Sequence, residues 1–533
     1  MDVATARWLV SAAAQPWLTL AAAEADPAAL AAAARFRRDL APEQAAAVLS
    51  QITLRRRARA KLGSLADSFF LTRDGLEQAT RPDVANWRAD RLRRAGVTGL
   101  TDAAAGLGFD AVAAVAAGIA VRAVERDPVT AVFLAANLAQ ASAAQPGLAG
   151  RHEVLAGAAE DLVDPRRDAA DLPQAIFVDP SRRTAQGRSW RLDDLSPAWA
   201  WLEQVFSASR GPVVVKLGPG APRSQIPASA EAIWVSQAGD LVELSLWLWP
   251  GQPSPGPVSG VIAAAIPAPT AALAQPAATP GRLSAISAQP ADVPIRLSAV
   301  SVRPAAAPAQ LAAVPDRPAA ALTQPVAVPD QPAAALDQAA TPPAKLPPAA
   351  VVTAAALPVQ LTGGPALSAA VGTPGWSALI LPAGCRLARG APPPLPGPLA
   401  AYLWEPDPAV IRADAVGALA RLLGARPLAD QIAYLTGGRA ALTPYATAFE
   451  VLGRLPFSDK AVRAWIRQQG IAALEVKTRG LGLDPAVWRR RLGLGGGRAQ
   501  ATVVCAPTVD GAAVIIVRRR KDLAARPPEP LPV

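Results

Sequence analysis

Hydrophobic and polar residues follow two different periods along the first 250 positions of the chain. Residues 20–65 are rich in alanine with leucines at helical spacing, so we expect a helical extension over residues 1–65. From residue 100, short apolar runs alternate with helical segments. Strands and helices in this order predict an α/β fold over residues 66–250, Rossmann-like, with a doubly wound and mostly parallel sheet.

The predicted strands of this domain end at turns of small or polar residues. We place them at residues 100–102, 119–125, 154–155, 175–179, 212–217, 232–235 and 241–249. The last two are predicted to form a terminal antiparallel hairpin. Because ligands of doubly wound sheets bind at the carboxyl ends of the strands, the side chains at those ends are the candidates for function.

Residues 251–375 interrupt the pattern. They hold 23 of the 55 prolines, nine charged residues and no Phe, Trp or Tyr, so they offer little apolar area to offset chain entropy. Two short sequences recur in them after 14 residues, a period that matches no standard solenoid. We interpret the segment as a disordered Pro/Ala-rich insert. The flanking strands 241–249 and 376–382 are predicted to pair, so that the insert is a long hairpin loop and strand 376–382 completes the N-terminal domain.

A second domain is predicted over residues 400–521. Residues 400–453 are expected to be helical, with Asp407 capping a helix that Pro408 opens. Residues 454–521 are expected to form a helix, a strand at 473–477, a helix at 485–492 and a hairpin around Asp510-Gly511. The pattern predicts a small α+β domain, and residues 454–521 make it basic, with 14 Arg or Lys against four Asp or Glu.

Composition excludes several classes of site. Two cysteines, Cys385 and Cys505, cannot build a disulfide framework or a cysteine-based zinc site, and a single histidine, His152, leaves little room for zinc or histidine chemistry, so no metal is expected. The net charge of +11 favours an anionic partner such as nucleic acid. No uninterrupted apolar run of about 18 residues and no basic N-terminal stretch is present, so we expect a cytoplasmic protein without a membrane span.

Acidic residues and glycines coincide at the predicted strand ends. Asp102, Gly106, Gly108, Glu125 and Asp179 all fall there or in the first turn. The spacing is compatible with a dinucleotide fingerprint, with S-adenosylmethionine, or with glycines that merely shape a turn. The glycines follow the acidic strand end by four residues, and an acidic group near that turn suits a cationic ligand better than a pyrophosphate. S-adenosylmethionine is therefore the favoured cofactor.

Several motifs resemble those of a known family. The spacing Asp102-x-x-x-Gly106-x-Gly108-x-Asp110, together with Glu125 and Asp179-Pro180, is similar to class I S-adenosylmethionine-dependent methyltransferases. The segment 70–80, Phe-Leu-Thr-Arg-Asp-Gly-Leu-Glu-Gln-Ala-Thr, and the sequence Asp179-Pro-Ser-Arg-Arg183 resemble bacterial methyltransferases that carry a C-terminal THUMP-like domain. The resemblance extends over residues 60–250 and 376–520, where the stretches 404–412, 432–436, 455–458 and 474–477 carry it in the second domain.

The resemblance implies a role for each matching position. The methionine part of the cofactor would lie at Asp102 and the glycine turn, the ribose at Glu125, the adenine at the Ala158-Ala159 turn, and the transferred methyl group at Asp179-Pro180. The residues implied to bind the cofactor are Asp102, Ala103, Gly106, Gly108, Asp110, Glu125, Ala158, Ala159 and Asp179. The catalytic candidates are Asp179 and Pro180. The candidates for binding RNA are Arg182, Arg183, Lys477, Arg479, Arg489, Arg490 and Arg491.

The acceptor is constrained by what the sequence lacks. Residues 1–384 contain no cysteine, which argues against methylation of C5 of a pyrimidine, and Ser181-Arg-Arg183 stands where exocyclic-amine methyltransferases carry Pro-aromatic residues. The leading hypothesis is methylation of a nitrogen or oxygen atom of RNA. Two alternatives remain: a catalytically degenerate RNA-binding protein, and a methyltransferase for a small molecule or a protein.

Overall fold

The structure is a computed structural model that describes residues 1–143, 152–164, 174–182, 192–250, 374–494 and 497–521. All of these residues belong to one compact unit. The proposed insert lies almost wholly outside the described residues, as do the segments 165–173 and 183–191, the second of which contains Arg183.

Seven α-helices precede the first strand. Their bounds are α1 (Val3–Val10), α2 (Gln15–Ala22), α3 (Leu30–Phe36), α4 (Pro42–Leu62), α5 (Leu65–Ser68), α6 (Arg73–Gln78) and α7 (Pro82–Arg94). Side chains and prolines set where they begin: Asp2 accepts a hydrogen bond from the Thr5 N–H at the start of α1, and prolines open α4 and α7. The helices pack on the core that also contains one face of the following sheet.

A nine-stranded sheet forms the centre of the N-terminal part. This part of the chain begins with β1 (Gly99–Asp102), α8 (Phe109–Ala116), β2 (Ala120–Glu125), α9 (Pro128–Ala143), β3 (His152–Ala156), α10 (Ala159–Leu162), β4 (Gln174–Val178), β5 (Ser181–Arg182) and β6 (Leu195–Ser196). They are followed by α11 (Trp199–Ala208), β7 (Val213–Leu217), β8 (Glu231–Gln237), β9 (Asp240–Leu248), β10 (Gly375–Leu381) and β11 (Cys385–Ala388).

The order of the strands in this sheet confirms the doubly wound architecture. It runs β11-β10-β8-β9-β7-β4-β1-β2-β3, and the five strands from β7 to β3 are parallel. Strands β8 and β9 pair antiparallel, as the hairpin prediction requires, while β5 and β6 form a separate two-stranded ribbon. The parallel half therefore brings the carboxyl ends of β1, β2 and β4 to one edge.

Strand β10 corrects the predicted pairing around the insert. It pairs parallel with β8, whereas β9 pairs with β7 and β8. The expected hairpin between residues 241–249 and 376–382 is wrong, because β8 lies between the two strands. Strand β10 nevertheless belongs to the same sheet, with apolar Ala378, Leu379 and Ile380 buried in it.

The C-terminal part is built on a second, seven-stranded sheet. Its elements are β12 (Tyr402–Pro406), α12 (Pro408–Arg412), α13 (Val416–Leu423), β13 (Arg426–Pro427), β14 (Leu435–Gly437), β15 (Ala446–Pro456), α14 (Asp459–Gln468), β16 (Ile471–Thr478), α15 (Pro485–Leu492), β17 (Ala499–Thr508) and β18 (Gly511–Arg519). The strand order is β13-β14-β12-β15-β18-β17-β16. The helix at 485–492 and the hairpin around Asp510-Gly511 agree with the sequence pattern.

The helical prediction for residues 400–453 is wrong for most of that stretch. Only α12 and α13 are helices, and Asp407 caps α12 as expected by accepting the Ala409 N–H at 2.8 Å. The alanine content favours helix, but β12 is paired on both sides by β14 and β15, and Leu403 and Trp404 are fully buried there. Tertiary pairing outweighs the local propensity.

The two sheets share a core. Trp404 and residues of α12 and α13 pack with the face of the first sheet that contains Trp234 and Ile380. A buried hydrogen bond from Ser236 Oγ to Asp407 Oδ2, 2.9 Å long, joins β8 to the start of α12. Across the described ranges, no helix is both long enough and apolar enough to cross a membrane.

Candidate active site

A cavity of about 700 Å³ opens at the carboxyl ends of β1, β2 and β4. Its floor is made by the turns that follow these strands, and its wall includes the segment 71–80 from the N-terminal helical region. The lining includes the predicted residues Asp102, Ala103, Gly106, Asp110, Glu125, Ala159 and Asp179. Residues that the sequence places 77 positions apart thus meet around one space.

The two glycines of the first turn have different structural roles. Gly106 lies at φ +56°, and a Cβ added there would meet no atom within 4 Å. Gly108 lies at φ +86°, and its Cβ would stand 2.5 Å from Leu134 Cδ1 of α9. Gly108 therefore permits α8 to pack against α9, whereas Gly106 leaves room on the cavity side for a ligand to approach the backbone.

The carboxylate of Glu125 is held at the end of β2 by backbone groups. Its Oε2 accepts the Gly106 N–H at 2.9 Å and its Oε1 accepts the Asp127 N–H at 2.8 Å. Burial raises the pKa of Glu125, although both hydrogen bonds favour the charged form. Each oxygen keeps a further lone pair, so the carboxylate can accept two neighbouring hydroxyl groups of a ribose.

Asp102 is the polar group of the cavity that most needs a ligand. Its side chain is 1% exposed, and no described side chain forms a hydrogen bond or an ion pair with either carboxylate oxygen, while the Ala104 N–H approaches the carboxylate and lowers its pKa. Burial, followed by the charges of Asp110 and Asp179, raises the pKa of Asp102 well above its usual value. Ionising a buried carboxyl without a cationic partner is costly, and a cationic amino group in the cavity would relieve that cost. The site therefore fits the methionine ammonium of S-adenosylmethionine.

The Asp110 carboxylate is already paired with other side chains of the protein. It forms an ion pair with Arg88 of α7, and its Oδ2 accepts the Thr80 hydroxyl at 2.6 Å. Arg88, 2% exposed, also pairs with Glu243 of β9 and lies over the Phe177 ring at 4.6 Å. Asp110 lines the cavity, but its carboxylate is already satisfied, so we assign it to holding the wall rather than to binding the methionine part directly.

Asp179 follows β4 and reaches the cavity from the side opposite Glu125. Its side chain is 33% exposed, and its Oδ2 accepts a hydrogen bond from the Lys216 ammonium of β7 at 2.6 Å. Register explains the neighbourhood: Asp102 of β1 is paired with Phe177 of β4, two residues before Asp179. The two candidate carboxylates are thus brought together by adjacent strands.

Buried amides fix the segment 69–80 over the glycine turn. The Asn137 side chain accepts the Phe70 N–H at 2.8 Å and donates to the carbonyls of Phe70 and Leu107. Gln51 of α4 accepts the Leu71 N–H and donates to the Phe69 carbonyl. The segment that carried the family resemblance is therefore a wall of the cavity, built by residues from α4 and α9.

Other predicted residues lie at the margin of the site or away from it. Gly108, Ala158 and Pro180 do not line the cavity, although each adjoins a residue that does. Arg182 belongs to β5, and the structure describes only its backbone, while Arg183 lies outside the described residues. The remaining candidates are in the C-terminal part: Lys477 Nζ pairs with Glu405 at 2.7 Å, Arg479 lies over the Tyr434 ring, and Arg489, Arg490 and Arg491 are exposed on α15.

Sequence reasoning missed the charged residues behind the cavity. Arg88, Lys216 and Glu243 are buried or nearly so, and each is a charge whose partners are distant in sequence. Lys216 and Glu243 could have been noticed in the sequence, because each is the lone charge within a short apolar run, Val-Val-Val-Lys-Leu and Leu-Val-Glu-Leu. A charge in such a run requires a buried partner.

Family models match both parts of the chain. A SAM-dependent methyltransferase model matches residues 44–186, and a model described as THUMP domain-like matches residues 446–520. Over 107 residues, the chain is 38% identical to an S-adenosylmethionine-dependent methyltransferase of Mycobacterium tuberculosis, a match that covers 20% of this chain and 29% of that protein. It is 35% identical over 136 residues to ribosomal RNA small subunit methyltransferase J of Alkalilimnicola ehrlichii, covering 24% and 51%.

Structural similarity extends further than sequence identity. The chain is similar in fold to a methyltransferase from Porphyromonas gingivalis, with a TM-score of 0.60 at 17% identity, over 98% of this chain and 100% of that one. By contrast, the sequence matches span about 29% and 51% of the lengths of the two curated relatives. The resemblance and the cofactor indicated by the motifs are confirmed: residues 44–186 match an S-adenosylmethionine-dependent methyltransferase family, and residues 446–520 match a THUMP-like domain.

Proposed function

We propose that this protein transfers the methyl group of S-adenosylmethionine to a nitrogen or oxygen atom of RNA in the cytoplasm. One observation gives the strongest support for methyltransferase activity. The Asp102 carboxylate, which has no side-chain partner among the described residues, and the Asp179 carboxylate line the same cavity, with the open Gly106 turn and Glu125 beside them. This arrangement offers a place for the cationic and hydroxyl groups of the cofactor and leaves one further carboxylate for the acceptor.

Different residues of the site would bind different parts of the cofactor and the acceptor. S-adenosylmethionine supplies an electrophilic methyl group on a sulfonium. Asp102 would bind the ammonium group, Glu125 the ribose hydroxyls and the Ala158-Ala159 turn the adenine. Asp179 would orient the acceptor, or take its proton, and Pro180 would shape the adjoining backbone. Such a transfer depends mainly on the alignment of the reacting atoms and on exclusion of water.

The cysteines support direct displacement rather than a covalent enzyme intermediate. Neither Cys385 nor Cys505 lines the cavity. Cys505 is buried in β17, and burial raises the pKa of its thiol to about 12, so little thiolate forms near neutral pH. The described lining therefore contains no thiol that could add to a pyrimidine ring.

Support for an RNA acceptor comes from the C-terminal part. Residues 454–521 carry a net charge of +10, and Arg489, Arg490 and Arg491 project from α15 as an exposed cluster. Arg491 is paired with Asp459, and Lys477 and Arg479 lie near Glu405, so Arg489 and Arg490 are the best candidates for phosphate contacts. One curated relative is named as a ribosomal RNA methyltransferase.

Calorimetry with S-adenosylhomocysteine tests the catalytic half. The full chain is expected to bind the ligand, and Asp102→Asn is expected to weaken binding at least about tenfold, because the amide cannot supply the charge. Thr101→Val is the matched control, since the Thr101 hydroxyl is buried on the same strand without a partner. No binding by the unmodified chain would reject the enzyme.

Salt-dependent binding tests the RNA half. The double variant Arg489→Ala/Arg490→Ala in the full chain is expected to lower the slope of log Kd against log salt by about 1.4 for single-stranded RNA. Arg37→Ala/Arg38→Ala removes the same charge from an exposed N-terminal site and should leave the slope unchanged. Equal slopes for both variants would contradict the assignment. Mass spectrometry of RNA nucleosides from a deletion strain would identify the modified atom.

A further inference from the structure

The side chain of Lys216 links two walls of the active-site cavity. Its ammonium donates to Thr80 Oγ1 at 2.9 Å and to Asp179 Oδ2 at 2.6 Å. Thr80 ends the wall segment 69–80, and Asp179 follows β4. Lys216 itself lies on β7, between them, and does not line the cavity. It can therefore influence a bound acceptor only through its partners.

The charged groups around Lys216 keep it protonated. Burial by itself lowers the pKa of the ammonium, but Asp179, Glu243 and Asp110 outweigh that effect, so the pKa is raised overall. Arg88 and Lys61 are the cations nearby: Arg88 shares Asp110 and Glu243, and Lys61 donates to the carbonyls of Leu76 and Glu77. A buried ammonium of this kind is stable only with its partners in place.

Asp179 depends on this ammonium for its orientation. Among the described residues, Lys216 is the side chain bonded to the Asp179 carboxylate, and it engages Oδ2 alone. Oδ1 is thus available toward the cavity that Asp179 lines. Thr80 can accept from Lys216 because its own hydroxyl proton is directed to Asp110 Oδ2. The hydrogen bonds therefore form one connected series. Lys216 donates to both Asp179 and Thr80, and Thr80 donates to Asp110.

We propose that Lys216 is a positioning residue that holds Oδ2 of Asp179, so that Oδ1 faces the N–H or O–H group of the acceptor, and that Thr80 holds Lys216 in place. This inference rests on the proposed methyltransferase function. It gives the family segment 69–80 a second role beside covering the cofactor, because its last residue supports the carboxylate on the acceptor side.

Variants at Lys216 separate orientation from cofactor binding. Lys216→Met is expected to lower kcat about tenfold or more, measured with total cellular RNA and labelled S-adenosylmethionine. The Kd for S-adenosylhomocysteine should change less than about threefold, because Asp102, Gly106 and Glu125 are untouched. Lys216→Arg keeps the charge and should restore part of kcat.

The role of Thr80 has its own comparison. Thr80→Val removes the hydroxyl at nearly constant volume and is expected to lower kcat several-fold, in the same direction as Lys216→Met. Thr101→Val, a buried threonine whose hydroxyl has no described partner, is the matched control and should leave kcat unchanged. An effect of the same size in both valine variants would overturn the assignment to Thr80.

Crystal structures of the unmodified protein and of Lys216→Met decide the proposal independently of activity. The Asp179 carboxylate is expected to rotate away from its position in the variant and to keep it in Lys216→Arg. An unchanged carboxylate, or a kcat of Lys216→Met within about twofold of the unmodified enzyme, would overturn the inference. If the protein binds S-adenosylhomocysteine but methylates no RNA, the proposed acceptor fails, and the crystal comparison still tests the positioning of Asp179.

Discussion

The backbone N–H of Gly106 donates a hydrogen bond to Oε2 of Glu125 at 2.9 Å. The bond joins the turn after β1 to the end of β2, so the two elements assigned to opposite parts of the cofactor hold each other. The turn is further tied down by the Ala105 N–H, which donates to the Val124 carbonyl at 2.9 Å. The turn after β1 and the Glu125 side chain are therefore held in place before a ligand binds, which reduces the conformational entropy that binding costs.

The two glycines of this turn are expected to respond differently to the same substitution. Gly108→Ala places a methyl group against Leu134 at positive φ and should lower the free energy of unfolding by about 2–4 kcal/mol. Gly106→Ala meets no atom and should cost about 1 kcal/mol from its backbone conformation alone. Gly106 lines the cavity, so we expect the loss to appear in the Kd for S-adenosylhomocysteine. Urea denaturation and calorimetry separate the two effects, and similar stability losses would contradict the assignment.

Cofactor affinity is expected to depend on pH through Asp102. Because the pKa of Asp102 is raised, its carboxyl holds a proton to higher pH than an exposed aspartate does. An ammonium binds the ionised form, so the affinity for S-adenosylhomocysteine should rise with pH and level off once Asp102 is ionised. Calorimetry between about pH 5 and about pH 8 measures this in buffers of different ionisation enthalpy. In Asp102→Asn, the proton release assigned to Asp102 should disappear; the same proton release as in the unmodified chain would contradict the role.

Removing Arg88 is expected to destabilise the fold. Arg88→Met leaves Asp110 and Glu243 buried without their shared cation, which should lower the free energy of unfolding by about 3–5 kcal/mol. Arg59→Met breaks an exposed pair with Asp67 and should cost less than about 1 kcal/mol. Urea denaturation of both variants provides the comparison. A loss at Arg88 no larger than that at Arg59 would show that the buried network is energetically neutral.

The sequence predicts which residues meet at the cavity where they lie at strand ends. Asp102, Glu125 and Asp179 stand at the ends of predicted strands, Gly106 lies in the turn after the first of them, and parallel strands bring these ends together. The ion pair between Arg88 and Glu243 was not predicted, because the two residues are 155 positions apart in the sequence. The residues around each of them do not indicate which partner it has. The strands of 402–456 were missed for the same reason, since their pairing with one another overrides an alanine-rich composition that favours helix.

Replacing the insert is expected to leave the first sheet intact. Glu231 of β8 is paired with Trp247 on one side and with Gly375 on the other, so the ends of the insert are about two strand spacings, or 10 Å, apart. About eight Gly/Ser residues in place of 251–373 span that gap easily. Thermal unfolding should show an unchanged transition. A deletion that extends to residue 381 also removes β10 and should lower the midpoint clearly; loss of the transition in the first variant would contradict the prediction.

The place of β10 in the sheet also has a consequence for synthesis on the ribosome. The edge of β8 stays open after residue 250 has emerged, because the strand that covers it ends at Leu381. Translation of the intervening 131 residues takes roughly 7–26 s at about 5–20 residues per second. During that time β8 has an unpaired edge and the apolar face that β10 completes is unfinished, an arrangement that favours pairing with other strands.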